Sequence, residues 1–254
     1  MDDEHARRSR SFGTVAAAYA AHRPGYAVEA VTWALQPVAD TEAPHLLDLG
    51  AGTGKLTEQL VTRPGARVTA VEPDSAMLAE LRARLPTVDA RDGVAEALPL
   101  PDGSVDAVLI GQAWHWFDPD RTLDEIVRVL RPGGVLVVVR NDEDPDTRLM
   151  NDFLDVDEFS VRNVHHHDVV RPTHHALDAP AERRFPNLHP TTVESTVARI
   201  GTFSWMVAAP PAERTAFERR LRAYLDTRAD PVSGAFTLRL VTTVLRSVRS
   251  RFRR

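Results

Sequence analysis

The chain has 254 residues, 43% hydrophobic and 26% charged, with a formal net charge of -5 and no cysteine. This size and composition suit one large, well-buried core, and the lack of cysteine excludes disulfides, thiolate metal sites and a cysteine nucleophile. The mildly negative charge argues against a nucleic-acid partner, which needs a basic face to displace counterions.

The opening MDDEHARRSR is polar and lacks the apolar region of a secretory signal, and the longest apolar runs are short, such as VLVVV at 135–139. The expectation is therefore a cytoplasmic protein without a membrane partner. Arg7, Arg8 and Arg10, and the basic RSVRSRFRR at 246–254, read as solvated ends. From about Ser11 to Gln36 apolar residues recur at helical spacing, interrupted at HRPGY (22–26), where Pro24 and Gly25 impose a turn. HLLDLG (45–50) reads as a buried strand, GKLTEQLV as a helix and RVTAVE (67–72) as a second strand. Asp74 then caps a helix running to about Leu85. A short strand near Val88 to Arg91 leads into the loop GVAEALPLPDGS. SVDAVLI (104–110), DPDRTLDEIVRVL (118–130) and GGVLVVVR (133–140) read as strand, amphipathic helix and strand. Strands that alternate with helices and are apolar almost throughout predict a parallel sheet covered on both faces.

After Arg140 the rhythm breaks into a polar, proline-punctuated, histidine-rich stretch, expected to be an insertion over the sheet edge, either a lid or an unstructured segment. His165, His166, His167, His174 and His175, with Asp168, raise a metal site as an alternative, but adjacent histidines point apart and no supporting partner is readable, so no metal is predicted. From about Thr191 helical patterns resume, and FTLRLVTTVLRSV (236–248) alternates as a strand does.

The most informative stretch is LLDLGAGTGKL at 46–56, a buried strand ending in three glycines with a helix following at once, so that a ligand can approach bare backbone. A Walker A loop fails, because the first glycine would fall at Leu49 and Leu56 follows Lys55. A dinucleotide fingerprint fails at its sixth position, which is Lys55. Glu72 lies 22 positions after Gly50, where a carboxylate can accept hydrogen bonds from both hydroxyls of a ribose. The acid alone does not separate a nicotinamide cofactor from S-adenosylmethionine, so an NAD(P)-dependent oxidoreductase stands as an alternative.

The D-x-G-x-G-x-G spacing from Asp48 resembles motif I of the class I S-adenosylmethionine-dependent methyltransferases. VTAVEPDSAMLAEL, DGVAEALPLPDGSVDAV, GQAWHWFD and RVLRPGGVLVVV follow in the order found in the small-molecule enzymes of the trans-aconitate and ubiquinone/menaquinone-pathway type, a likeness covering about 11–142. The resemblance implies an α/β, Rossmann-like fold: a seven-stranded, mostly parallel sheet with helices on both faces, an N-terminal helical lid and an insertion after strand five. It implies one methyltransferase domain over 1–254, with the lid at 1–40, a cofactor-binding core at 41–142, an insertion and substrate lid at 143–200 and the C-terminal part of the sheet at 201–254. The implied reaction moves the methyl group of S-adenosylmethionine to an O, N or C atom of a small molecule, with specialised metabolism as one setting. A non-catalytic S-adenosylmethionine-binding module is the alternative, and the expected state is a monomer or homodimer.

Carried over residue by residue, the resemblance places Asp48, Gly50, Ala51 and Gly52 at the methionine end of the cofactor, Glu72 on the ribose, and Pro73 and Met77 against the adenine. Gly93, Val94 and Ala95 flank the adenine edge, with Val94 where relatives often carry an aspartate. Gln112 falls beside the methionine amino group, and Tyr19 and Arg23 resemble lid residues that close over its carboxylate. His115 is the candidate catalytic residue, either as general base or as an orienting group. Of Trp114 and Trp116, one is expected in the core and the other, taken as Trp116, at the substrate. Arg140 and Asn141 end the fifth strand as candidate substrate ligands, with a structural ion pair as the alternative for Arg140.

Overall fold

The computed structural model describes residues 15–163 and 171–250. Two short helices, α1 (Ala16–His22) and α2 (Val28–Ala34), precede the sheet. β1 (His45–Leu49), α3 (Lys55–Leu60), β2 (Arg67–Val71), α4 (Ser75–Arg84), β3 (Asp89–Arg91), β4 (Val105–Gly111), α5 (Pro119–Val129) and β5 (Leu130–Glu143) then alternate in the predicted rhythm. The later chain forms α6 (Leu149–Leu154), α7 (Glu158–Asn163), β6 (Ala181–Thr192), α8 (Val193–Gly201), α9 (Ser204–Val207), α10 (Pro211–Asp226) and β7 (Ala235–Val248).

The seven strands form one sheet in the order β3-β2-β1-β4-β5-β7-β6. Strands β1 to β5 pair in parallel, and β7 runs antiparallel to both β5 and β6. Because side chains alternate across a strand, Leu47, Leu49, Val108, Ile110, Leu136 and Val138 pack on one face against Leu123 and Ile126 of α5. Leu46, Ala107, Leu109, Val135 and Val137 pack on the other against Ala30 and Ala34 of α2 and Leu56 and Leu60 of α3. Burial on both faces is why these strands read as unbroken apolar runs. Helix starts follow local chemistry: the Asp74 side chain accepts from Ala76 N and Met77 N at 2.9 and 3.1 Å, as expected. Asp118 caps α5 through Arg121 N at 3.2 Å, with Pro119 at the first helical position.

The chain order reverses between β1, whose neighbours are β2 and β4, and this leaves a crevice at the C-terminal ends of those strands. The region after β5 corrects the expected insertion at 143–200. Ala181–Thr192 is a 12-residue strand of the sheet, read from sequence as irregular because of Pro186 and Pro190. It is an edge strand, and one row of its N–H groups faces away from the sheet, so proline costs little there. Nor does residue stretch 171–178 cover the crevice. Leu177 bridges to Arg249 and joins the cluster around Leu130, while Gly133 N bonds Arg249 O at 2.9 Å, which puts this stretch at the opposite end of β5. His174 faces Asp124 there at 3.3 Å. His165, His166, His167 and Asp168, like Arg7, Arg8 and Arg10, lie outside the described residues.

The other helices after β5 build a second apolar layer. Phe217 of α10 is fully buried, with its ring centroid 5.6, 5.6 and 5.3 Å from those of Phe153, Phe159 and Trp205. No helix among the described residues is long and apolar enough to cross a membrane. Truncating Phe217→Ala should cost about 3–5 kcal/mol, by lost transfer free energy and the cavity left behind. Urea unfolding of the purified variant measures this, and a loss under about 1 kcal/mol would mean that the layer repacks around the gap.

Candidate active site

The crevice is a cavity of about 290 Å³. Its floor is the turn after β1. Gly50 N and Ala51 N both bond Val71 O, at 2.9 and 3.1 Å, tying the turn to the end of β2. Gly50 has φ +68°, and a Cβ there would lie 2.7 Å from Ala113 Cβ, so conformation and space both demand glycine. Gly52 also has positive φ, at +57°, but a Cβ there would meet nothing within 4 Å. Its backbone is bare toward open space, as close approach of a ligand requires.

Glu72 joins this turn to the second strand. It is buried, its Oε2 accepts from Gly52 N at 2.8 Å and its Oε1 from Asp74 N at 2.9 Å. Burial pushes its carboxyl up to about 7, against the pull of these two N–H groups. Gln112, at the exit of β4, adopts φ +57° and is held by its own N–H to Val139 O and by Nε2 to Asn141 O, both at 3.0 Å.

Most of the predicted residues come together at this cavity. Gly50, Gly52, Glu72, Pro73, Met77, Gly93, Val94, Ala95 and Gln112 line it, and so do Tyr19 and Arg23 at the end of α1. His115 and Trp116 line it from the short helical turn Trp114–Trp116, their ring centroids 4.6 Å apart. Trp114 goes the other way, buried in the core and edge-on to Phe117, with centroids 6.3 Å apart.

Four predicted residues do not line it. Asp48 lies below the turn, 1% exposed, with Oδ2 accepting from the Thr57 hydroxyl at 2.5 Å and Oδ1 without a partner among the described residues. Ala51 packs with Ala70 and Leu81, because its neighbours' positive φ values turn its side chain into the protein. Arg140 takes the ion-pair alternative, 3.0 Å from Asp142. Asn141 is a strut: its Nδ2 donates to Gly25 O at 2.9 Å, and its Oδ1 accepts from Thr242 Oγ1 at 2.6 Å and Asn187 Nδ2 at 3.2 Å. Both residues are near the end of β5, but Arg140 is held by Asp142 of the same strand and Asn141 by Thr242 of the paired β7.

The cavity also has walls that the sequence did not point to, apart from Trp205, which reads there as core with a pocket wall as the alternative. Glu96 lines it while accepting from Asp118 N at 2.9 Å, and Phe117 lies over Gly50. Phe203, Ser204 and Trp205 close it from the helical layer. The aromatic density of GTFSW is their only signal in the sequence, and it suits core packing better than a wall. Arg23 stacks between Tyr19 and Phe203, with its guanidinium carbon 4.6 and 4.2 Å from the two ring centroids, and burial lowers its pKa. No group of three or more His, Cys, Asp or Glu able to hold a metal occurs among the described residues.

This combination of a doubly covered sheet, a glycine turn and an acidic strand end beside one crevice defines a Rossmann-like α/β protein with a ligand crevice at its switch point, and comparison with known proteins narrows it. The sequence pattern of the methyltransferase domain matches residues 47–138. An uncharacterised methyltransferase of Mycobacterium tuberculosis is 40% identical over 243 residues, which is 94% of this chain and 96% of the relative. A trans-aconitate 2-methyltransferase of Paracidovorax citrulli is 28% identical, over 74% of this chain and 81% of its own length. The solved structure of a provisionally named type II methyltransferase from Anaeromyxobacter dehalogenans superposes with a TM-score of 0.64 at 25% identity, over 89% of this chain and 97% of that one. The chain belongs to the class I S-adenosylmethionine-dependent methyltransferases.

Burial holds the Asp48 carboxyl up to about 6, opposed by the Thr57 hydrogen bonds. A folded pKa above the unfolded 3.8 means that the folded state binds this proton more tightly, so stability falls as pH rises from about 4 to 6 and is level above that. Between about pH 5 and 8, Asp48→Asn should therefore lose about 1 kcal/mol less stability than the wild type. Denaturant unfolding at the two pH values tests this, and equal losses would clear Asp48 of the effect.

Proposed function

We propose that this chain binds S-adenosylmethionine in the crevice over Gly50, Gly52 and Glu72 and directs its methyl group to an O, N or C atom of a small-molecule acceptor. The observation that carries the reading is the meeting of Gly52, whose missing Cβ leaves open space, with the buried Glu72 carboxylate at the mouth of one cavity. The residues present fit the cofactor. Glu72 accepts the ribose hydroxyls, Pro73 and Met77 pack against the adenine, and Gly93, Val94 and Ala95 border its edge. Gln112 offers its amide oxygen to the amino group, and Tyr19 and Arg23 take the carboxylate. Asp48 and Ala51 support the turn from beneath, and Asn141 holds Gln112 through its backbone carbonyl.

When bound, the cofactor supplies an electrophilic methyl group on a sulfonium. The protein's part is alignment, exclusion of water and, where the acceptor carries a proton, its removal. Phe203 and Trp205 shield the cavity, Trp116 bounds the acceptor, and His115 at its exposed rim holds the acceptor or takes its proton. The concave, aromatic-lined cavity supports a small-molecule acceptor. The chain as a whole then works as one methyltransferase domain, with α1 and the Phe203–Trp205 segment as its cover.

Calorimetric titration with S-adenosylhomocysteine tests the cofactor reading. Glu72→Gln should weaken binding by about tenfold or more, since hydrogen bonds to an ionised acceptor are the strong ones. Wild-type affinity should also fall as pH drops below about 7, where Glu72 takes up its proton, and the variant should lack this dependence. Unchanged affinity in the variant would remove the ribose assignment. For His115→Ala the expected result is reduced turnover with cofactor affinity within about threefold of wild type. Wild-type turnover across the accepted substrates would exclude an essential role for the imidazole.

A further inference from the structure

Arg23, at the end of α1, is gripped by a distant part of the chain. Its Nε donates to Thr202 Oγ1 at 3.2 Å, a bond that spans 179 positions. Thr202 is 1% exposed, follows the last residue of α8, and donates its own hydroxyl proton to Arg199 O at 2.6 Å. A hydroxyl has one proton to give, so toward Arg23 this oxygen can only accept. The contact also puts Arg23 at the C-terminal end of α8, where the carbonyls of the last turn favour a cation.

The faces of the guanidinium are covered as well. Tyr19 and Phe203 lie over it, with ring centroids 4.6 and 4.2 Å from its Cζ. Phe203 follows Thr202 directly, so one short segment supplies both the hydroxyl and a ring. With Nε on Thr202 and rings over the plane, the edge left for a ligand is the one formed by the two Nη groups. Arg23 lines the cavity, and these Nη groups have no hydrogen-bond partner among the described residues. Arg199 lies 5.9 Å from the same Phe203 ring, and burial together with the charge of Arg23 lowers its pKa to about 10. An anion on the open edge of Arg23 relieves that repulsion.

We infer that Thr202 is a positioning residue for cofactor binding: by holding Nε it fixes the Arg23 side chain and turns its Nη edge toward the cofactor's carboxylate. The inference rests on the reading that the cavity takes S-adenosylmethionine with Arg23 on that carboxylate. An arginine loses rotamer freedom when it pairs with a ligand, and a side chain fixed beforehand avoids that loss. A carboxylate accepts two parallel N–H bonds, which the Nη edge offers. Thr202 acts through Arg23 and is not among the residues that line the cavity. The end of α8 thus belongs to the cofactor site without touching the cofactor.

Calorimetry on the full chain with S-adenosylhomocysteine and with 5′-methylthioadenosine, which lacks the amino-acid tail, tests this. The ratio of the two affinities isolates the tail. Thr202→Val, close in shape but without the hydroxyl, should lower that ratio about fivefold or more by weakening S-adenosylhomocysteine alone. Thr202→Ser should keep the ratio within about twofold of wild type. In an Arg23→Met background Thr202→Val should change it by less than about twofold, since no guanidinium remains to position. An unchanged ratio in folded Thr202→Val, or an equal loss in both backgrounds, would overturn the inference. Hydrogen exchange on the wild type needs no variant: S-adenosylhomocysteine should slow exchange in α1 and in residues 199–203 more than 5′-methylthioadenosine does. Equal protection by the two ligands would overturn the inference too. If the wild type binds both ligands equally well, Arg23 does not take the carboxylate, and the inference falls while the nucleoside part of the cofactor reading stands. If it binds neither, the cofactor reading itself falls.

Discussion

The two hydrogen bonds that the Glu72 carboxylate accepts, from Gly52 N and Asp74 N, hold the site together. One carboxylate fixes the turn after β1 to the start of α4, so the bare backbone and the acid are positioned by the same contact. The arrangement exists because β1 and β2 are parallel neighbours whose C-terminal ends lie side by side. An acid in this place is costly to bury, and its raised pKa reflects that cost. The protein keeps a charge under strain where a polyhydroxyl ligand would relieve it.

Around that contact the fold divides its labour. The parallel part of the sheet, buried on both faces, supplies a rigid base with its strand ends aligned. The antiparallel addition of β7 and the edge strand β6 widens the base and carries α8 to the same end of the sheet, and the α8–α9 segment delivers Phe203 and Trp205 to the cavity. Asn141 and Thr242 lock the two parts together through their 2.6 Å bond. The two sides of the cavity are thus built by chain segments far apart in sequence.

The family's position-by-position pattern picked out residues that do line the cavity where they sit in short stretches whose spacing dictates their geometry. Gly50 to Gly52 are in one turn, Glu72 to Met77 at one strand exit, and Gln112 to Trp116 at another. It failed where neighbours in sequence turn to opposite sides or are claimed by another strand. Ala51 lies between two cavity-lining glycines yet points inward, and Asp48 is spent on Thr57. Arg140 and Asn141 end a strand, but Arg140 is spent on Asp142 and Asn141 on Gly25, Thr242 and Asn187. The proline-rich 181–192 looked irregular because an edge position, which excuses proline, is a property of the whole sheet.

The sequence by itself determined the α/β rhythm, the glycine turn, the acid at the next strand end and the likeness to a methyltransferase family, since each depends on residues within one turn or one strand of each other. Only the tertiary structure decided which tryptophan faces the cavity, sending Trp114 into the core and Trp116 to the wall. It also decided that two arginines from α1 and α8 share one phenylalanine ring. The Arg23–Phe203 contact joins positions about 180 residues apart, and no local spacing encodes it.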